Sequence, residues 1–117
     1  MIRIALVLAS AAALATAAAS QAAPPVLNGE TGPGFKVEVT MGGKDVKTLK
    51  AGTYKLVVQD KASIHNFHLI GPGLNKQVTS VPFVGKKTVT VTLKKGKYTY
   101  QCDPHAASGM KGTFKVT

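Results

Sequence analysis

Residues 98–114, YTYQCDPHAASGMKGTF, carry the pattern that decides the fold and the chemistry of this chain. Two segments of alternating polarity flank a short loop, as expected of two neighbouring β-strands. The loop holds Cys102, His105 and Met110, and Cys102 is the only cysteine in 117 residues. Because side chains alternate along a strand, the thiol shares a face with the two tyrosines of YTYQC. We therefore expect Cys102 to point into the protein.

The same alternation continues upstream, and glycine-containing turns separate the alternating segments. The apolar members of the pattern are Phe35, Val37, Val39, Tyr54, Leu56, Val58, Val89, Val91, Leu93, Phe114 and Val116. Apart from one short helical turn near 74–79, the chain after residue 22 shows no helical periodicity. The pattern predicts an all-β fold, an antiparallel Greek-key β-sandwich over residues 34–117. Residues 23–33 are rich in proline and glycine, which predicts a flexible lead-in.

The first 22 residues combine Arg3, an apolar alanine-rich run and small residues up to Ala22. This pattern predicts a signal peptide cleaved after Ala22 and therefore a periplasmic or otherwise exported protein. A membrane anchor is the alternative, but a spanning helix needs about 20 strongly apolar residues, and this run is only moderately apolar. Small exported domains often contain disulfides, which a lone cysteine cannot form within the chain. Cys102 is therefore either an inert core thiol or a functional group.

Fifteen basic residues stand against five acidic residues, which gives a formal net charge of +10. Such a balance favours acidic or membrane-associated partners, although lysines on solvated strand faces also serve solubility. Export argues against a nucleic-acid partner. We expect a monomer.

Residues 63–71, SIHNFHLIG, contain two histidines that fall on opposite faces of a strand. His65 shares a face with Phe67 and Leu69, which fit a core, so we expect His65 to be buried. His68 is then turned toward solvent or a partner. A β-bulge would exchange the roles of the two histidines.

Cys102, His105 and Met110 offer a thiolate, an imidazole and a thioether, and His65 adds a second imidazole. Two His and one Cys with a weak axial Met form the blue-copper electron-transfer site. Calcium and magnesium do not fit, because they prefer oxygen ligands. Taken singly, the thiol and the thioether are also typical of buried core residues. Pro104 is expected to stiffen the loop and to tune the thiolate, because proline has a fixed φ and no N–H to donate.

The spacing Cys-x2-His-x4-Met, together with the His-Asn pair at 65–66, resembles the ligand segments of the small blue copper proteins, the cupredoxins. The resemblance covers about residues 34–116 and is closest to the plastocyanin and pseudoazurin branches. Seven residues follow Met110, which leaves no room for the C-terminal helices of pseudoazurin and favours a plastocyanin-like protein. Gln101 and the many lysines depart from plant plastocyanins, so photosynthetic partners are not implied.

The resemblance implies one type 1 copper per chain with His65, Cys102, His105 and Met110 as ligands. It also implies that Asn66 ties the two ligand segments together.

These features predict an exported carrier of single electrons between redox proteins, with no enzymatic activity and no small-molecule substrate. The alternative is a periplasmic copper carrier or buffer that uses the same ligands, and a metal-free interaction module is a further rival. The resemblance implies that partners dock around the exposed edge of His105. The candidate docking residues are Pro72, Ala106, Ala107 and His68.

Overall fold

The computed structural model describes residues 22–117, so the predicted signal peptide lies almost entirely outside the described residues. The described part of the chain folds into ten β-strands and one 3-10 helix. The strands are β1 Val26–Thr31, β2 Val37–Met41, β3 Lys44–Asp45, β4 Thr48–Leu49, β5 Gly52–Asp60, β6 Phe67–Gly71, β7 Leu74–Thr79, β8 Gly85–Leu93, β9 Gly96–Gln101 and β10 Lys111–Val116. The 3-10 helix covers Asp103–Ser108. Within the described residues, no helix is long and apolar enough to cross a membrane.

The strands form two five-stranded sheets, with the orders β3-β2-β1-β5-β8 and β4-β10-β9-β6-β7. Buried apolar side chains from both sheets, such as Leu56, Leu69 and Tyr98, form one core between them. The prediction of an all-β sandwich is confirmed. Most neighbouring strands are antiparallel as predicted, but β1 pairs with β5, and β4 with β10, in parallel.

The first strand corrects the prediction of a flexible lead-in over residues 23–33. β1 lies between β2 and β5 and is hydrogen bonded to both. Its inward positions are Leu27, Gly29 and Thr31, of which only the first is a large apolar residue. Glycine is required at the second position, because a Cβ there would lie 2.9 Å from the ring of Phe67. Because this close packing requires a glycine, β1 lacks the alternating apolar residues that would have indicated a strand.

The predicted helical turn near 74–79 is also wrong, since these residues form β7. Val78 and Thr79 are buried at its end, and the Thr79 hydroxyl accepts a hydrogen bond of 2.9 Å from the Phe67 N–H. This contact holds the end of β7 against the start of β6.

Candidate metal centre

The centre lies at the end of the second sheet where β6 begins and β9 ends. These strands are antiparallel neighbours, and His68 pairs with Gln101. Because antiparallel pairing sets the start of one strand beside the end of the next, the residues just outside the two strands meet. His65 precedes β6 and Cys102 follows β9, so the fold brings together two residues that are 37 positions apart.

The segment from Cys102 to Met110 is shaped by its own backbone hydrogen bonds. The His105 N–H donates to the Cys102 carbonyl, and the Met110 N–H donates to the His105 carbonyl, both at 3.1 Å. The Cys102 N–H in turn donates to the Met110 carbonyl at 3.1 Å. Gly109 ends the 3-10 helix with a φ of 97°, a left-handed conformation that favours glycine. The segment thus folds back on itself and sets Met110 beside Cys102.

Pro104 lies in the first turn of this helix. A proline is well tolerated there, because its missing N–H would have no partner within the helix. The fixed φ of the ring stiffens the segment between the thiol and the histidine.

Three potential ligand atoms converge at this end of the sandwich. The Cys102 Sγ lies 3.4 Å from His105 Nδ1 and 3.6 Å from His65 Nδ1, and the two nitrogens are 3.1 Å apart. A point at the centre of this triangle is about 2 Å from each atom, which is close to the usual metal–nitrogen bond length of about 2.0–2.1 Å and a little shorter than the metal–sulfur length of about 2.3 Å. The donor set therefore fits a single metal ion. Of the two histidines weighed for this place, the structure selects His65, although the pairing of β6 with β7 does shift register between Phe67 and His68.

Access to the triad is limited to one residue. The side chains of His65 and Cys102 are fully buried and that of Met110 is 2% exposed, whereas His105 is partly exposed. Buried sulfur and imidazole groups in an apolar setting favour copper over ions that prefer oxygen and water. The edge of His105 is thus the route by which the centre meets the surface.

Phe35 belongs to the centre, although its place in the alternating pattern predicted a core-facing strand residue. It precedes β2, and 69% of its surface is exposed. Its ring packs edge-on against His65 and His105, with centroid distances of 5.5 and 4.8 Å. Phe35 alternates with Val37 and Val39 in the sequence, so it was predicted to lie on the same strand. Nothing in that pattern indicated that the strand begins only at Val37.

Asn66 and Asp103 connect the two ligand segments directly. The Asn66 Nδ2 donates to Asp103 Oδ2 at 2.9 Å, and the Asp103 N–H donates back to Asn66 Oδ1 at 2.7 Å. One residue follows His65 and the other follows Cys102 in the chain. This reciprocal pair therefore fixes the distance between the buried imidazole and the thiol, which is how outer partners orient metal ligands.

The Asp103 carboxylate also accepts hydrogen bonds from His68 Nδ1 at 2.9 Å and from Gln101 Nε2 at 2.8 Å. Burial alone would raise the pKa of Asp103, but its bonds to Gln101, Asn66 and His68 and the charge of His68 lower it. The sequence alone did not indicate this role of Asp103, whose only local signal was its position between the thiol and a proline.

His68 joins this network through both of its ring nitrogens. Its Nε2 bonds to the side-chain oxygen of Asn75 while its Nδ1 bonds to Asp103. Both partners are acceptors, so the imidazolium form, with two N–H donors, fits best. Burial alone would lower the pKa of His68, but the bonds to Asn75 and Asp103 and the charge of Asp103 raise it. Its two nitrogens are occupied within the chain, and its assignment to the docking residues stays a prediction.

Pro72 also lies outside the predicted docking site. β6 starts at the metal end and advances about 3.3 Å per residue away from it, so the turn after β6 lies at the opposite end. The Pro72 carbonyl accepts a hydrogen bond of 2.8 Å from the hydroxyl of Tyr98, near the start of β9. Ala106 and Ala107 follow His105 in the 3-10 helix, and they remain at the metal end.

Comparison with known proteins agrees with this geometry. The model of the family of copper binding proteins, plastocyanin/azurin family, matches residues 35–117. The chain belongs to this family. It is a blue copper cupredoxin, and its His-Cys-His site is that of a type 1 copper electron carrier.

Solved structures show the same fold. A rusticyanin crystal structure is 24% identical, with a TM-score of 0.58 over 79% of this chain and 76% of that chain. Reduced auracyanin from the photosynthetic bacterium Roseiflexus castenholzii is 18% identical, with a TM-score of 0.56 over 82% of this chain and 99% of that chain. A multi-copper oxidase from Pediococcus acidilactici is 17% identical, with a TM-score of 0.54 over 80% of this chain but only 26% of that chain. No curated protein sequence matches the chain.

Proposed function

We propose that this cupredoxin is an exported one-electron carrier in which His65, Cys102, His105 and Met110 hold the copper. The observation that supports this most strongly is the convergence of three buried or half-buried donor atoms within 3.6 Å of one another. Bound copper would supply one-electron exchange between Cu(II) and Cu(I). The protein supplies a fixed set of ligands, which limits the rearrangement that accompanies each electron transfer.

Burial of the ligands supports an electron carrier over an enzyme. A substrate would need to reach the ion, but His65 and Cys102 have no exposed surface. Electrons do not need such an opening, because the partly exposed ring of His105 joins the ion to the surface. No substrate and no catalysis are therefore part of the proposal.

Redox partners are proposed to dock on an apolar surface around His105, formed by Phe35, Ile64, Ala106 and Ala107. Phe35 and Ile64 are 69% and 51% exposed, and exposed apolar groups of this size mark interaction sites when they cluster. The excess of lysines favours an acidic or membrane-associated partner and makes the association rate fall with added salt. The carrier is proposed to act as a monomer.

The docking proposal is tested with two matched variants, Ala107→Glu beside His105 and Ala51→Glu at the opposite end of the sandwich. Both alanines are exposed, so both variants add the same charge to the surface. We expect Ala107→Glu to slow electron self-exchange at least several-fold and Ala51→Glu to leave it nearly unchanged. Equal effects of the two variants would contradict docking at His105.

The function itself is tested by following the fate of the metal. An electron carrier exchanges electrons rapidly between oxidised and reduced protein while it retains its copper. Rapid transfer of Cu(I) to an acceptor chelator, with slow self-exchange, would instead establish the copper carrier or buffer. Export is tested by N-terminal sequencing of the protein recovered from the producing cells, with a new terminus expected after Ala22.

A further inference from the structure

The core-facing sides of β1 and β5 both end in a polar residue at the metal end of the sandwich. Thr31 ends β1 and is 0% exposed, and Asp60 ends β5 and is 2% exposed. The two strands run parallel, and the two residues are partners in the register, so their Cα atoms lie about 4.8 Å apart. A threonine and a carboxylate thus lie side by side where the alternation of β5 calls for an apolar residue.

The His65 ring lies close to the end of β1. A Cβ on Gly32, the residue after Thr31, would lie 2.9 Å from His65 Cδ2, the ring carbon bonded to Nε2. Burial raises the pKa of Asp60, and the Thr79 hydroxyl, the Ala62 N–H and the charge of His65 each act against that rise. The edge of the ring that faces away from Cys102 therefore meets the ends of β1 and β5.

Three buried polar atoms at this place lack a hydrogen-bond partner among the described residues: Thr31 Oγ1, Asp60 Oδ2 and His65 Nε2. The other Asp60 oxygen accepts from the Ala62 N–H at 3.3 Å. Each unpartnered buried group destabilises the fold by about 1–3 kcal/mol, so three of them in one place point to a shared partner.

We propose that Asp60 and Thr31 form a hydrogen-bond site for His65 Nε2, closed by one buried water molecule. With Nδ1 used as a metal ligand, the Nε2 carries a proton and donates to the water. The water then donates one hydrogen to Asp60 Oδ2 and the other to Thr31 Oγ1. All three atoms are satisfied by a single molecule, and a buried water makes about three such bonds in other proteins.

Asp60 is thus a positioning residue, which acts on the copper through His65. A carboxylate behind an imidazole fixes the tautomer and the ring orientation of the ligand and increases its basicity. This inference rests on the proposed role of His65 as a copper ligand.

The test uses the ¹⁵N-labelled, Cu(I)-loaded protein and the exchange rate of the His65 Nε2–H by NMR. We expect a slowly exchanging proton with a cross-peak to bound water. Thr31→Val keeps the shape but removes the hydroxyl, so it should accelerate exchange roughly tenfold, the equivalent of one hydrogen bond. Thr31→Ser, which retains a hydroxyl, should restore the slow exchange.

Asp60→Asn supplies a second readout, because it removes the charge but keeps the shape. It should raise the reduction potential more than Asp45→Asn, which changes an exposed aspartate on β3. Exchange unchanged in Thr31→Val, or equal potentials in the two Asn variants, would overturn the inference while leaving the copper ligands intact. A wild-type protein that fails to turn blue with Cu(II) would instead contradict the proposed ligands themselves.

Discussion

The two segments that supply the copper ligands are held in place by different means. The segment from Cys102 to Met110 makes four backbone hydrogen bonds of its own, which are 3.0–3.1 Å long. His65 makes one backbone bond of 3.4 Å, to Ala62, and is otherwise enclosed by the side chains of the sandwich. The first segment is therefore a local unit, whereas the position of His65 depends on the packing of both sheets.

The largest expected loss of stability concerns the packing around His65. Phe67 comes two residues after His65 in the chain. Its side chain is 0% exposed, and its ring packs against Gly29. Phe67→Ala should lower the free energy of unfolding by about 3–5 kcal/mol and also perturb the visible spectrum of the copper form. Urea denaturation and absorption spectroscopy measure the two effects.

The matched control is Phe114→Ala, which removes a buried ring from β10. It should cost a similar amount of stability with little change in the spectrum. If both variants perturb the spectrum equally, packing around Phe67 does not hold His65.

The next effect concerns the link between the segments. Asn66→Ala removes two hydrogen bonds to Asp103 and leaves the Asp103 N–H without a partner. The free energy of unfolding should fall by about 1–3 kcal/mol. Chemical denaturation of the metal-free and copper forms gives the value. Asn75→Ala, which removes only a bond to the outer nitrogen of His68, should cost less, and the reverse order would contradict the role given to Asn66.

A smaller loss of stability is expected from a change within the segment from Cys102 to Met110. Gly109→Ala meets no atom within 4 Å of the new Cβ, so only the strain of a positive φ remains, about 1–2 kcal/mol. Thermal or chemical denaturation measures the loss of stability. Gly34→Ala also has open space around its Cβ but no positive φ, and it should be nearly neutral. A Gly109→Ala variant as stable as Gly34→Ala would show that this turn does not constrain Met110.

The smallest effect depends on pH. The pKa of His68 is raised above 6.5 in the folded protein, so its bond to Asp103 stabilises fully below pH 6.5 and is lost as the pH rises through the folded-state pKa. Because the pair is partly exposed, this contribution is at most about 1 kcal/mol. His68→Gln should therefore flatten the fall in stability above pH 6.5, measured by denaturation at several pH values. Parallel pH profiles of the variant and the wild type would contradict the pairing.

The same contrast explains what the sequence could predict. The loop from Cys102 to Met110 is local, so its spacing alone indicated the chemistry, and alternation indicated the all-β sandwich. Features that depend on packing between distant segments had no comparable signal in the sequence. β1 was missed because its inward positions include Gly29, and Pro72 was assigned to the wrong end because the direction of β6 was not fixed.

The role of Asp103 was likewise not readable, since its partners Asn66 and His68 come from a distant part of the chain. Residue spacing can predict a site whose residues lie within one loop. It cannot predict which side chains from distant parts of the chain surround that loop in the folded protein.

The central claim is that Cys102 and two histidines form a type 1 copper site, and the visible spectrum of the purified protein with Cu(II) tests it most directly. An intense blue absorption that a mild reductant bleaches, and that Cys102→Ser abolishes, is the result we predict. Absence of colour, or only the weak absorption of ordinary Cu(II), would contradict the account.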